Sequence, residues 1–361
     1  TVELEQVSIN NIARIEVYHS PTAESPGSAL AGGVNMVPRG AFERARPQFS
    51  GNVYFLFRDA EKSLRKTPGP IREATRKIHP GFDFSWVVPV NKRFGFTLSG
   101  GHTSQYTPQD YVVNTWRGAG NATTVAATAT NGYPATTPDH PYLSNFSIRD
   151  GTKVTIRSSA GATLDYKIST HSRLAFSFQY AFFDAYFNNR TLGFNTNRVY
   201  PGDFSPVLTN GAAGFGTITV GNGARQKAGT TYMPALRWIH EGRIWKIDAG
   251  AGHSQASNHY RDIDKGFFNG ASTQRSNVTV AFEDIFYLRP RVIRVTDGTT
   301  GEPVNPYLLD TYAFTSATSD WWESLDVQRS VFGNLRRDLL VREVPLSLKA
   351  GFNLRNSIRD I

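Results

Sequence analysis

The chain has 361 residues, 39% of them apolar and 12% aromatic, with no apolar run of the roughly eighteen residues that a membrane-crossing helix needs, so a helical span is excluded. Its 39 basic and 30 acidic residues leave a net charge of +9, but no basic cluster, recognition helix or RNA-binding signature accompanies that charge, which argues against a nucleic-acid partner. Cysteine is absent; disulfides, thiolate metal sites and cysteine nucleophiles are thereby ruled out, in keeping with an envelope protein that crosses an oxidising periplasm.

In chain order, Ile12, Ile15 and Val17 form a short amphipathic piece. A turn-rich run follows with Pro21, Pro26, Gly27, Gly32 and Gly33, and then the strand-like Val34-Asn35-Met36-Val37. From about residue 49 the pattern changes to roughly nine stretches of about ten residues that alternate apolar with small or polar side chains. Phe82, Phe84, Trp86 and Val88 alternate with Asp83 and Ser85, and Phe94, Phe96 and Leu98 with Gly95, Thr97 and Ser99. Leu174, Phe176, Phe178, Tyr180 and Phe182 alternate with Ala175, Ser177, Gln179 and Ala181; near the C-terminus, Leu346, Leu348, Phe352 and Leu354 alternate with Ser347, Lys349, Asn353 and Arg355. A period of two puts each set on its own face of a strand.

Alternation alone fits a soluble sandwich as well as a barrel. The connections favour the barrel. Tight turns at Pro89-Val90-Asn91-Lys92, Lys167 to Ser172, Glu241-Gly242-Arg243 and Leu339 to Val344 alternate with long links over about 59–77, 105–150, 188–228 and 261–324. Short turns at one end and long loops at the other are the pattern of a transmembrane β-barrel, and the mean hydropathy of −0.36 suits strands that are polar on one face. Arg58, Arg157, Arg237, Lys246 and Lys349 are expected at polar-face positions within strands. Within the last long link, Val278 to Phe282 and Val292 to Val295 read either as a hairpin in an outer loop or as two further crossing strands. With no signal peptide at Thr1 and a strand pattern still running at Ile361, the chain reads as a fragment.

Ile12-Ala13-Arg14-Ile15-Glu16-Val17, then Pro21, Gly27, Gly32-Gly33 and Asn35, resembles the closing motif of the plug domain in TonB-dependent outer-membrane receptors, approximately I-E-R-I-E-V-x-[RK]-G-P, then L-Y-G, then G-G-x-I-N-I-x-T-K. The sequence departs from it at His19-Ser20, at Ser25-Pro26, at Pro38-Arg39 and by one residue fewer between the glycine pair and Asn35. The resemblance implies that residues 1–48 are the C-terminal part of an α/β plug. Residues 49–361 would then be the N-terminal part of an antiparallel barrel, about 9 to 11 of roughly 22 strands. It further implies a Gram-negative outer membrane with its lipid and lipopolysaccharide, a scarce ligand taken up actively, and work supplied by the TonB–ExbB–ExbD complex. In the family the commonest ligand is a ferric siderophore, whose anionic chelate the net charge mildly favours; oligosaccharides and cobalamin use the same architecture. Arg14 and Glu16 are the expected contacts from plug to wall, and the glycines shape the plug's turns.

Of the residues in the long links, Tyr111, Trp116, Arg117 and Tyr133 are the expected ligand contacts, because aromatic faces with polar tips meet an incoming ligand first. Tyr106 and Tyr142, near strand ends, are expected in the interfacial girdle. The sequence carries no H-E-x-x-H, G-x-S-x-G, phosphate-binding loop or dinucleotide fingerprint, so neither enzyme chemistry nor a cofactor is indicated. His253, His259, Asp262 and Asp264 come nearest to a metal-ligand set, and a solvated surface cluster is the preferred reading. The rivals are a passive porin or autotransporter, which lack a plug, and a soluble β-rich binding protein or hydrolase.

Overall fold

The computed structural model describes residues 12–19, 32–59, 63–67, 74–118, 132–341 and 344–360. The strands begin with β1 (Ile12–Tyr18), β2 (Gly33–Pro38), β3 (Gln48–Leu56), β4 (Lys66–Thr67), β5 (Thr75–Arg76) and β6 (His79–Pro89). They continue with β7 (Phe94–Pro108), β8 (Tyr111–Arg117), β9 (Tyr142–Ser169), β10 (Ser172–Asn195), β11 (Val199–Ser205), β12 (Leu208–Gly211) and β13 (Gly216–Glu241). The last are β14 (Trp245–Arg261), β15 (Gly270–Phe286), β16 (Arg289–Asp297), β17 (Ala313–Thr318), β18 (Trp321–Val341) and β19 (Val344–Asp360). The protein is almost entirely antiparallel sheet, and among the described residues no helix is long and apolar enough to cross a membrane.

Nine strands follow one another in a continuous antiparallel meander, β3-β6-β7-β9-β10-β13-β14-β18-β19. They are the nine dyad stretches of the sequence, in the expected order. Because β14 pairs directly with β18, β15 and β16 do not enter this path. Of the two readings of residues 278–295, the hairpin outside the nine-strand path is the one the protein adopts.

Register carries the alternation across the whole sheet. Val88, Phe96, Leu164, Phe176, Leu236, Ala251, Val331 and Leu354 stand opposite one another in one unbroken row over eight strands. The next row, on the other face, reads Val87, Thr97, Thr163, Ser177, Ala235, Gly252, Ser330 and Arg355. Burial runs against the usual order: Phe176 is 38% and Leu354 66% exposed, while Thr97 and Thr163 are buried. A sheet whose apolar face is the bare one calls for an apolar surrounding or a covering partner.

Three strands are far longer than the 9 to 11 residues a bilayer requires: β9 has 28 residues, β10 has 24 and β13 has 26. Much of the expected long links at 105–150, 188–228 and 261–324 is therefore regular sheet. In this upper tier β8 pairs with β9, and β15, carrying β17 on its other side, takes the flank of β13 that β14 holds below. Pairing along β10 is unbroken from Arg173 to Asn195, so Phe194 shares a face with Phe176. Yet Phe146, Phe194 and Ile218, one row on that face, are buried in a core with Val278, Val280, Phe282, Ile285 and Val295. The β15–β16 hairpin thus covers the upper part of the face, and the Asn114 amide on β8 donates to the Leu288 carbonyl at the hairpin tip, 2.5 Å away.

Candidate functional site

The first candidate region is the β1–β2 hairpin and the segment that follows it onto the large sheet. Glu16 pairs with Asn35 in register and accepts from Arg14 Nε and Tyr18 Oη, both at 2.7 Å. Its carboxylate also lies within Coulombic reach of Arg237 on β13. The Arg237 guanidinium is bidentate with Asp248 on β14, at 2.8 and 2.7 Å. Gly32 has φ +98°, and a Cβ there would stand 2.3 Å from the Tyr18 carbonyl oxygen, so only glycine fits. Gly33 opens β2 with free space around its Cα. Pro21 and Gly27 lie outside the described residues.

A turn of 3-10 helix, Ala41–Glu43, then packs onto the polar face. The Ala41 amide donates to Asp165 Oδ2 at 2.7 Å, and the Lys167 ammonium lies 3.9 Å from the centre of the Phe42 ring. Gly95 leaves the room: a Cβ at that position would come within 2.7 Å of the Ala41 Cβ. Gly95, Asp165, Ala175 and Arg237 form one row. Among the described residues, the N-terminal segment thus meets the polar face through Ala41 at Asp165, with Glu16 in Coulombic reach of Arg237 in the same row.

The second candidate region is the expected ligand set. Arg117 stacks 4.0 Å above the Tyr133 ring, while its Nε donates to Ser144 Oγ at 3.1 Å. Tyr111 pairs instead with Arg149, which donates to its hydroxyl at 2.8 Å and lies 4.9 Å from its ring centre. Trp116, half-buried, packs against the upper core. Tyr142 corrects the girdle expectation. It is fully buried, its ring tilted against Phe204 with centres 4.1 Å apart, and its hydroxyl, which donates to the Pro134 carbonyl, has its pKa pushed up to about 12 by desolvation. Tyr106 is buried too, with Lys77 near its ring.

A third cluster was not foreseen, since the sequence pattern put its basic members in a loop. Arg225 and Lys227 lie on β13, on the face of Arg237, and Lys227 stands opposite Tyr260. Arg225 Nε donates to Asp262 Oδ2 at 2.9 Å, its Nη2 to Asp320 Oδ2 at 2.5 Å, and its guanidinium stacks 4.2 Å from the Tyr260 ring. Tyr260 and Trp322 face each other across β14 and β18, ring centres 5.0 Å apart. With Ser319, Asp320 and Trp321 they line a cleft of about 510 Å³ at the end remote from the short turns. Strict spacing of Arg225, Lys227, Gly229 and Thr231 on one parity was the signal available in the sequence.

The histidine–aspartate set does not converge: His259 pairs with Asp264 at 3.5 Å, whereas Asp262 turns to Arg225. Among the described residues no group of three or more His, Cys, Asp or Glu could hold a metal ion. Comparison with known proteins gives no match to a family model, to a curated protein or to a solved structure.

Proposed function

We propose that the chain is the closing part of the plug and the first part of the wall of a TonB-dependent outer-membrane receptor, which draws a scarce ligand into a Gram-negative cell. The observation that carries this reading is the apolar row from Val88 to Leu354, exposed from Leu164 onward and backed by a row of mainly small and polar residues. Lipid is the surrounding that such a face requires, and a lumen accepts the other. Trp86, Tyr166 and Trp245, exposed on the apolar face within a few residues of the short turns, suit the headgroup level on that side. Arg337 stacks over Trp245 at 4.9 Å. The approach of Glu16 to Arg237 and of Ala41 to Asp165 suits a plug held within the wall. Moving a plug held at several polar points takes work, which is the role of the TonB–ExbB–ExbD complex.

The cargo has to be read from residues, since one architecture serves ferric siderophores, oligosaccharides and cobalamin. Fractionation tests the proposal. Expressed in a Gram-negative host with a secretion signal, the protein is expected in the outer-membrane fraction and in solution only with detergent. A soluble monomer without detergent contradicts it and favours a soluble β-rich binding protein.

A further inference from the structure

We infer that the polar face of β9, β10 and β13 binds an acidic oligosaccharide, a chain of uronic acids, with Arg149, Lys153, Arg157 and Lys227 as carboxylate partners and the Phe183 and Phe187 rings as the surface for its C–H groups. The inference rests on the uptake reading for its direction, cargo passing along the inside of the wall, but its chemistry stands on that face alone.

Strand register sorts the charge. Arg149, Lys153 and Arg157 take every fourth position on β9, and Arg225 and Lys227 stand two strands away on β13, all on the face of Asp165 and Arg237. No acidic residue stands on this face of β9, β10 and β13 over the same rows, from Arg149 to Arg157, Thr191 to Phe183 and Gly221 to Gly229. Asp262 and Asp320 reach in from flanking segments, and both are held by Arg225. The other face of these rows has the opposite balance: Asp150 pairs with Arg190 at 3.2 Å, and Asp184 is buried against the Gln226 amide. The cations are thus gathered on one side, and two acids against five bases leave it positive.

Spacing decides which anion fits. Four residues of strand cover about 13 to 14 Å, so the β9 column runs about 27 Å, and β13 lies about 10 Å to its side. A compact anion meets one or two of these cations, whereas an extended chain meets them all. Successive carboxylates of an extended uronate chain point to different sides, so only some face the wall, as a sparse column requires. Two phenyl rings lie among the cations. Phe187 stands in one row with Lys153 and Arg225, and Phe183 in one row with Arg157 and Gly229, whose missing Cβ leaves the room that the Phe183 ring occupies. The C–H face of a sugar packs on such a ring while its carboxylate accepts from lysine or arginine. Lys153, Arg157, Lys227 and both phenylalanines are half-buried, and Arg149 is fixed by its hydrogen bond to the Tyr111 hydroxyl. A wall ordered in advance costs little on binding.

Calorimetric titration of the full chain in neutral detergent with hexagalacturonate, hexamannuronate and hexaguluronate tests the inference. Saturable binding of at least one is expected, weaker at high salt and absent for its methyl ester. Lys153→Gln and Lys227→Gln should each weaken it about fivefold, the scale of one exposed ion pair, and together about 25-fold, because the two sites are too far apart to couple. Lys153→Arg should keep it, as should Arg190→Gln on the other face. Unchanged strand circular dichroism identifies the variants as folded. No binding of any of the three, equal binding of the methyl ester, or equal affinity in the double variant overturns the inference; so does oligothymidylate or a ferric tris-catecholate chelate that binds more tightly than every uronate and loses affinity in the double variant. Outer-membrane partition with no uronate response defeats this inference alone, whereas uronate binding by a detergent-free soluble monomer defeats the uptake reading alone.

Discussion

Phe176 and Phe194 lie on the same face of the same strand, about 60 Å apart along it, yet one is 38% exposed and the other 4%. The alternation is the same in both tiers, but the burial is opposite. In the lower tier none of the described residues covers Phe176, whereas in the upper tier Val280, Phe282 and Ile285 of the β15–β16 hairpin close over the face. A dyad pattern thus says only that one face needs a partner. Whether the protein itself supplies that partner depends on the neighbouring connections, and here it does so along only part of one strand.

The sharpest way to break that contrast is in the covered tier. Phe282 is fully buried at the centre of the upper core, so Phe282→Ala should cost about 3–5 kcal/mol. Hydrogen exchange should then accelerate in β15, β16 and the upper parts of β9 and β10, leaving β18 and β19 unchanged. Uniform acceleration would mean that the tiers are one cooperative unit.

On the bare face, Phe176→Arg should lower stability in lipid vesicles by about 2–4 kcal/mol, the cost of a cation at mid-membrane. Ser177→Arg, one residue on and facing the polar side, should cost less. Urea titration of vesicle-folded protein measures both, and the reverse order would remove the distinction between the faces. Smaller again is Glu16→Lys, which sets a cation before Arg237. Both groups are partly exposed, so the loss should be about 1 kcal/mol or less, seen as faster protease cleavage next to β1.

The smallest effect is acid loosening of the covering hairpin. Glu283 is held below the ordinary carboxylate range by the bidentate Arg294 guanidinium, and Asp297 by the Thr299 and Thr300 amides that donate to it. Depressed folded-state values mean that this support is complete above the ordinary carboxylate range and is lost as pH falls through the folded-state values. Amides of β15 and β16 should therefore lose protection near about pH 3 relative to about pH 6, after correction for intrinsic rates, while those of β18 keep theirs.

The nine-strand order was legible because strands with one apolar face keep strict alternation, as in Leu174 to Phe182. The upper tier was not. Asn188-Asn189-Arg190 has the composition of a loop but sits within β10, held by backbone pairing to β9 and β13 on both sides. The same concealment hid Arg225 and Lys227 and therefore the cleft with Tyr260. Tyr142 was legible as aromatic but not as core, because Phe204, whose ring packs on it, comes far later in the chain. Arg117 and Tyr133 do meet, though the thirteen-residue stretch 119–131 between them lies outside the described residues.

The absence of cysteine allows the most direct measurement, a nitroxide scan from Leu174 to Phe182 in lipid vesicles. Oxygen accessibility should peak at 174, 176, 178, 180 and 182, with a water-soluble nickel chelate favoured at the odd positions. Low oxygen accessibility at Phe176 and Phe178, as for side chains buried against a second protein layer, would contradict a lipid-facing wall.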